Sequence, residues 1–310
     1  MNRREFVVGA ASLLLAPRAL ANTRSPVALV TADEESRLVA VDLATGRILR
    51  HITTLASPRS IEAVGETAIV AHTEIGALSV VRGFKVAHVL RGFDEPRYTA
   101  AHPDGRHAYV TDAARGELVA LDVVRGEVVG RARVGARARH LTISPSGRTL
   151  WVALGSKATD VAIVDASSRT RPRLVRTFRP PFLAHDVGWA PDGRHVWISS
   201  GDRQQLAVYD GRTGRIVARP DGDWPPQHVT FARGLAYVTS GWSGTVRVHR
   251  VDGSELRRNP VPLGSYNVQS AAGRVLTPSL GHGALTVLDE SGRMLYRAQV
   301  ARSSHDACVV

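Results

Sequence analysis

Three observations predict an all-β chain built from a repeated four-stranded unit. First, turn signals recur at a regular interval: Pro103-Asp104-Gly105-Arg106-His107, Pro145-Ser146-Gly147-Arg148-Thr149 and Pro191-Asp192-Gly193-Arg194-His195 each stand between two apolar runs. Asp-Gly in that setting is a strong hairpin signal, since both residues tolerate the positive φ that a type I′ turn demands. Second, a strand of one pattern follows each turn, as in Ala108-Tyr109-Val110-Thr111-Asp112, Val196-Trp197-Ile198-Ser199-Ser200 and Ala236-Tyr237-Val238-Thr239-Ser240. Third, from Ser25 onward apolar runs of about five residues alternate with Gly, Asp, Pro and Arg turns, and no amphipathic helical period appears.

Each repeat reads in order as an inner strand such as His228-Val229-Thr230-Phe231, a second strand such as Leu235-Ala236-Tyr237-Val238-Thr239, a third such as Thr245-Val246-Arg247-Val248-His249, and a weaker Arg-rich fourth such as Ser254-Glu255-Leu256-Arg257-Arg258. A second hairpin joins the third strand to the fourth, seen in Val41-Asp42-Leu43-Ala44-Thr45-Gly46-Arg47 and Tyr209-Asp210-Gly211-Arg212-Thr213-Gly214-Arg215. Four strands in about 40 residues is the signature of a β-propeller blade. The residues that open the inner strands are Ser60, Tyr98, His140, His185, His228, Asn267 and His305, with spacings of 38, 42, 45, 43, 39 and 38. That makes seven blades. The last opening has only a short run after it, whereas Val27–Val30 and Arg37–Ile52 supply three strands with no inner strand ahead of them. The ring is therefore expected to close by pairing the C-terminal strand with the N-terminal ones, which removes exposed edges. A single seven-bladed β-propeller is predicted over residues 25–310.

The segment before it has a basic start, Arg3-Arg4-Glu5-Phe6, a short apolar run to Ala16, and Leu20-Ala21 at its end. This is the form of a cleavable export signal over residues 1–21, too short to span a membrane, with cleavage after Ala21. Its paired arginines resemble the twin-arginine signal that carries folded proteins across the bacterial inner membrane. The expected location is the periplasm, with no transmembrane segment after cleavage.

The chain has 310 residues and a formal net charge of +12, of which +10 remains once Arg3, Arg4, Arg18 and Glu5 are removed. Only Lys85 and Lys157 are lysines, against 38 arginines in a chain rich in Ala, Val and Gly, so GC-biased codon usage accounts for the arginine excess better than a selected polyanion surface does. Nucleic acid is set aside as a partner, because an exported protein meets little of it. One cysteine, Cys308, excludes an intramolecular disulfide and a Cys-rich metal site. Phosphate-loop, dinucleotide-binding and HExxH motifs are absent. Asp33-Glu34-Glu35 lacks the glycine-centred spacing of a calcium loop.

Tyr109-Val110-Thr111-Asp112 and Tyr237-Val238-Thr239-Ser240 resemble the Tyr-Val-Thr-Asn core of the YVTN-repeat propellers, which group with lactonase-like and nitrite-reductase haem-domain propellers. The resemblance covers the whole mature chain and implies the fold. For function it implies a choice among exported binding proteins, lactone-handling enzymes and haem-binding domains, since the motif itself is structural.

In a propeller, the loops that lead into the inner strands share one face with the loops between second and third strands. The seven opening residues are therefore expected to ring the channel mouth. Four are histidines, His140, His185, His228 and His305, with Asn267 beside them; convergent imidazoles suit a metal ion, and equally a channel lining bonded to loops and water. The second-strand ends give a further ring, in which His72 and Asp112 form a candidate base and orienting carboxylate, with His282 close behind. Ser200, Ser240 and Ser279 lack a nucleophile elbow. Arg59, Arg97, Arg137 and Arg139 gather at the same rim with Tyr98, Phe182, Trp224, Trp242 and Tyr266, a set suited to a carboxylate, a phosphate or a planar ligand. Trp242, flanked by Ser240-Gly241 and Ser243-Gly244, has little core to bury in.

The leading expectation is a periplasmic, monomeric binding protein that recognises an anionic small molecule, a polymer or a protein partner at the channel-mouth face. A lactonase-type hydrolase or isomerase using rim histidine and arginine is the first alternative. A divalent-metal or haem carrier is the second; the sequence itself requires no cofactor.

Overall fold

The computed structural model describes residues 25–310, and the predicted export signal lies outside the described residues. These residues form seven four-stranded antiparallel sheets arranged as the blades of a ring. Blade 1 joins the strand Ala307–Val309 to Val27–Ala32, Arg37–Asp42 and Ile48–Thr53. Blades 2 to 7 run in chain order over 60–91, 96–133, 141–178, 184–218, 229–260 and 269–299. The expected closure is present: Ala28, Leu29 and Val30 pair antiparallel with Val309, Cys308 and Ala307. Among the described residues no helix is long and apolar enough to cross a membrane.

The repeat dictates which strand is buried. Second and third strands, such as Thr67–His72 and Leu206–Asp210, are buried along their whole length, because each blade is covered on both faces by its neighbours. Fourth strands, such as Arg173–Phe178, lie at the perimeter and are largely exposed, which explains their arginines. The core is accordingly a series of clusters between adjacent blades. Between blades 3 and 4 it is Tyr109, Leu118, Leu150 and Val152; between blades 4 and 5, Trp151 packs edge-on against Phe178, Trp189 and Tyr209.

Two local features depart from the sequence reading. The Asp-Gly turns are not type I′: Gly105 and Gly193 have positive φ, but Asp104 and Asp192 do not. Instead Asp104 Oδ1 accepts the Arg106 and His107 backbone N–H groups, and Asp192 Oδ1 those of Arg194 and His195, so the aspartate acts as an acceptor inside a longer turn. Positive φ at both central residues occurs at Gly83-Phe84, Arg233-Gly234 and Ala272-Gly273, which join Arg82 to Lys85, Ala232 to Leu235 and Ala271 to Arg274. The second feature is a β-bulge between the third and fourth strands of every blade, at equivalent positions such as Ala40/Val41, Val80/Val81 and Val248/His249. Bulges increase local twist, which turns the outer strand away from its neighbour blade.

Closure by one short strand gives a stability prediction. Deleting Ala307–Val310 removes two buried side chains and bares the Leu29–Val30 edge. The expected loss is about 3–5 kcal/mol, a fall of about 10 °C in the thermal midpoint followed by circular dichroism. An unchanged midpoint would show that the ring is held without this strand.

Candidate functional site

The opening residues on the histidine side of the mouth are held by a second-strand hydroxyl that ties blades 3, 5 and 6 each to the next. Thr111 Oγ1 accepts the Tyr98 N–H (3.3 Å) of its own blade and donates to the carbonyl of Arg139 (2.6 Å), the residue before His140. Thr239 accepts the His228 N–H (3.2 Å) and donates to the Tyr266 carbonyl, the residue before Asn267. Ser199 accepts the Asp186 N–H (3.0 Å) and donates to the Gln227 carbonyl, the residue before His228. Two inner strands also bulge where their functional side chains stand, between Pro96 and Thr99 and between Ala184 and Val187. These bulges re-aim Arg97-Tyr98 and His185-Asp186 toward the channel.

The imidazoles of His140, His185 and His228 form a layer across the mouth. Ring centroids lie 4.6 Å apart for His140 and His185, 4.8 Å for His140 and His228, and 5.6 Å for His185 and His228. Tyr98 stacks on His140 at 4.3 Å and reaches His228 at 5.3 Å. Carbonyls only accept, so His185 Nδ1 donates to Ser156 O (2.9 Å) and Nε2 keeps its lone pair. His228 Nδ1 faces Asp186 Oδ2 at 3.4 Å. His140 is 1% exposed, and neither of its ring nitrogens has a hydrogen-bond partner among the described residues. Burial, reinforced by the neighbouring histidines and Arg139, holds His140 well below the usual imidazole range and brings His185 to about 3. Both rings are neutral near pH 7.

His305, the fourth histidine of the expected ring, stands apart from this group. Its Nδ1 donates to Arg59 O (2.8 Å), with the Asn267 amide 3.1 Å away. Asn267 thus stands beside His305 rather than with the triad.

Carboxylates line the channel beside and below the histidines. Asp186 Oδ2 accepts the Val229 N–H (3.0 Å), and Asp306 Oδ2 accepts the Ile61 N–H (3.1 Å), two equivalent links from one blade to the next. The sequence signal for both is a repeated His-Asp pair, His185-Asp186 and His305-Asp306, which the reading of candidate residues passed over. Glu62 and Gln269 meet at 3.0 Å across the channel, on the wall of a cavity of about 240 Å³ that also touches His140, His228 and Asp186. Burial raises Glu62 to about 7 and Asp33 to about 6, and it raises Asp306 well above the carboxylate range.

The second-strand ring has a different role from the one expected. His72 and Asp112 are both 0% exposed. His72 Nδ1 donates to Ala56 O (2.9 Å) and Nε2 accepts from Ser79 (2.9 Å); Asp112 accepts the N–H groups of Asp94 (2.9 Å) and Glu95 (3.0 Å). Each closes a loop of its own blade, so the two do not form a base and its orienting carboxylate. His282 is exposed on blade 7, away from the triad.

The rim is divided rather than uniformly basic. Arg59 pairs with Asp33 (3.3 Å) and Arg97 with Glu95, inside a hollow of about 760 Å³ that also carries Glu34, Glu74 and Asp94. A second hollow of about 310 Å³ between blades 3 and 4 is lined by Arg97, Arg137, Arg139 and Lys157, with Glu95 its one carboxylate. The Arg139 guanidinium lies 5.7 Å over the Tyr98 ring, and no ion pair or side-chain hydrogen bond holds it among the described residues. Trp224 and Trp242, 50% and 68% exposed, stand at blade 6, a patch separate from the Arg139–Tyr98 pair.

No family model matches this chain, and no curated protein does. Among solved structures it is similar to hydrazine synthase of Kuenenia stuttgartiensis, with 16% identity, 80% of this chain and 88% of that one covered, and a TM-score of 0.68. It is also similar to a functionally unknown protein from Desulfotomaculum acetoxidans DSM 771, with 14% identity, 92% and 99% covered, and a TM-score of 0.79. At such identities the likeness establishes the fold alone.

The raised Glu62 carboxyl makes a signed prediction. A group that binds its proton more tightly when folded stabilises the fold at acid pH and loses that contribution as pH rises from the ordinary carboxylate value, 4.5, to about 7. Glu62→Gln keeps the amide contact and carries no charge. It should raise stability by about 2 kcal/mol at pH 8, channel water screening the remainder of the shift, and have almost no effect at pH 4. Denaturant unfolding at both pH values checks this; equal effects would mean that Glu62 ionises in the channel without penalty.

Proposed function

We propose that the chain is an exported binding protein, a propeller of YVTN type, that takes a small carboxylate or phosphate ligand in the hollow between blades 3 and 4 at the channel mouth. The observation that supports this reading is Arg139. Its guanidinium is half-buried, stacked on Tyr98 and without a counter-ion, beside Arg137 and Lys157, which form no ion pair among the described residues. Burial disfavours the charge of Arg139, yet a guanidinium does not give up its proton in a protein. A charge held out of water needs a partner, and a bidentate anion fits the planar fork of arginine. Glu95 does not supply it, since it is paired with Arg97.

Export to the periplasm through the twin-arginine route completes the reading, on the strength of Arg3-Arg4 and the apolar run that follows. Replacing both by lysine should leave uncleaved precursor in the cytoplasm, seen by fractionation and blotting; normal cleavage and export of that variant would refute the route.

Binding is tested by titration calorimetry of the chain from residue 22 onward with malonate and with inorganic phosphate at low ionic strength. Arg139→Gln should weaken binding about tenfold or more, and Trp242→Ala, on the separate aromatic patch, should leave it unchanged. Equal affinity in Arg139→Gln, or no heat up to millimolar ligand, would overturn the reading.

A further inference from the structure

We propose that His140, His185 and His228 form a mononuclear site for a divalent transition-metal ion of the Zn²⁺ or Cu²⁺ class, independent of the anion hollow. Three observations meet here.

The first is convergence. One ligand nitrogen from each of the three side chains lies within 4.8 Å of the other two, so a common point lies within about 2.8 Å of all three. Zinc–imidazole bonds are about 2.0–2.1 Å, so each ring needs a shift of less than about 1 Å to close on an ion. The channel cavity of about 240 Å³ beneath them leaves a coordination position for water or ligand, but it is smaller than the range for cofactor-sized molecules, so a bare ion suits it better than a haem.

The second is the state of the rings. His185 is committed by Ser156 O to the tautomer with a free Nε2, and His228 presents Nδ1 to Asp186 Oδ2. A ligating histidine ordinarily donates its other nitrogen to a carbonyl or a carboxylate in this way, which fixes the ring and raises its basicity. The two supports come from different blades, Ser156 from a loop of blade 4 and Asp186 from the inner strand of blade 5, so the arrangement belongs to the ring rather than to a local turn.

The third is His140. A buried imidazole with neither nitrogen bonded to protein forgoes two interactions that burial makes costly to lose. His185, with its proton committed to Ser156 O, has only a lone pair left to offer, and no bond from His228 reaches His140. A cation that accepts all three lone pairs does. Imidazole donors favour Zn²⁺ and Cu²⁺ over the harder Mg²⁺ and Ca²⁺.

The test is equilibrium dialysis of the chain from residue 22 onward, stripped with chelator and then offered ZnCl₂ or CuCl₂ alone, with metal counted by elemental analysis. One ion per chain is expected, together with a rise in thermal midpoint and, for Cu²⁺, nitrogen hyperfine structure in the paramagnetic resonance spectrum. His140→Gln and His228→Gln should each weaken binding about a hundredfold or more, and should lose the midpoint shift while keeping the wild-type circular dichroism spectrum. His282→Gln, a surface control, should bind as wild type. No stoichiometric binding at micromolar metal would overturn the proposal, as would binding that survives His140→Gln and His228→Gln but fails in His282→Gln. If either triad variant does not fold, the unmodified chain decides by its own stoichiometry and copper spectrum. Arg139→Gln, which tests the anion hollow, should leave metal stoichiometry at one, so the two readings stand or fall separately.

Discussion

The hydroxyl one residue from the end of the motif strand in blades 3, 5 and 6 is the interaction on which the histidine side of the channel mouth depends. Thr111, Ser199 and Thr239 each accept an inner-strand N–H of their own blade and donate to a carbonyl at the start of the next. Both groups are buried backbone polar atoms that the strand ladders leave free, and an unmet one would cost about as much as a lost hydrogen bond. One side chain satisfies two, and in doing so sets the register of blade against blade. A valine at these positions would fill the same volume and leave both atoms orphaned. Ala71, Ala153 and Pro278 stand at the equivalent position in blades 2, 4 and 7, so the ring itself does not require the hydroxyl; the blades that use it are those that place His140 and His228 at the mouth.

Polar groups around the channel have been removed from water in unequal ways. Asp186 and Asp306 are compensated by backbone N–H donors, and Glu62 by one amide and by holding its proton to near-neutral pH. His72 and Asp112, a strand further out, are wholly satisfied within their own loops. His140 and Arg139 are different: adjacent in sequence and linked through Tyr98, they are the buried base without bonds and the half-buried cation without a counter-ion. Where most buried groups nearby are matched, two unmatched neighbours mark where something from outside belongs.

The architecture was legible because a propeller repeats its information. Turn, motif strand and inner-strand opening recur often enough to number the blades, and the unpaired strands at the two ends forced the closure through Ala307–Val309. The site was legible only to the same depth. Chain position identified His140, His185 and His228 as neighbours on the mouth, but it treated His305 as equivalent, whereas the convergent ligand atoms are those of the first three alone. Pairing His72 with Asp112 failed for a geometric reason: second-strand ends lie about 4.8 Å further from the axis than inner strands, so they do not converge. The rim arginines looked alike in sequence. Which are neutralised depends on carboxylates such as Asp33, 26 residues from Arg59, that the ring brings alongside. Bulges at Arg97-Tyr98 and His185-Asp186 left no compositional trace either, although the repeated His-Asp pair did.

The two proposed sites share structure, and this has an electrostatic consequence. Ser156 lines the anion hollow and its carbonyl fixes His185, while the Tyr98 ring lies between Arg139 and His140. Arg139 opposes positive charge on the triad, which helps to keep the rings neutral and able to ligate. The same field would weaken a dication. An anion on Arg139 cancels that field, and a dication on the histidines in turn deepens the well for the anion. Thermodynamic linkage makes the two effects equal in size, so the coupling read from metal affinity in saturating malonate must equal that read from malonate affinity in saturating zinc. The two proposed sites would thus keep separate ligand sets and separate tests, and would be coupled through charge alone, each ligand removing part of the cost that the other meets.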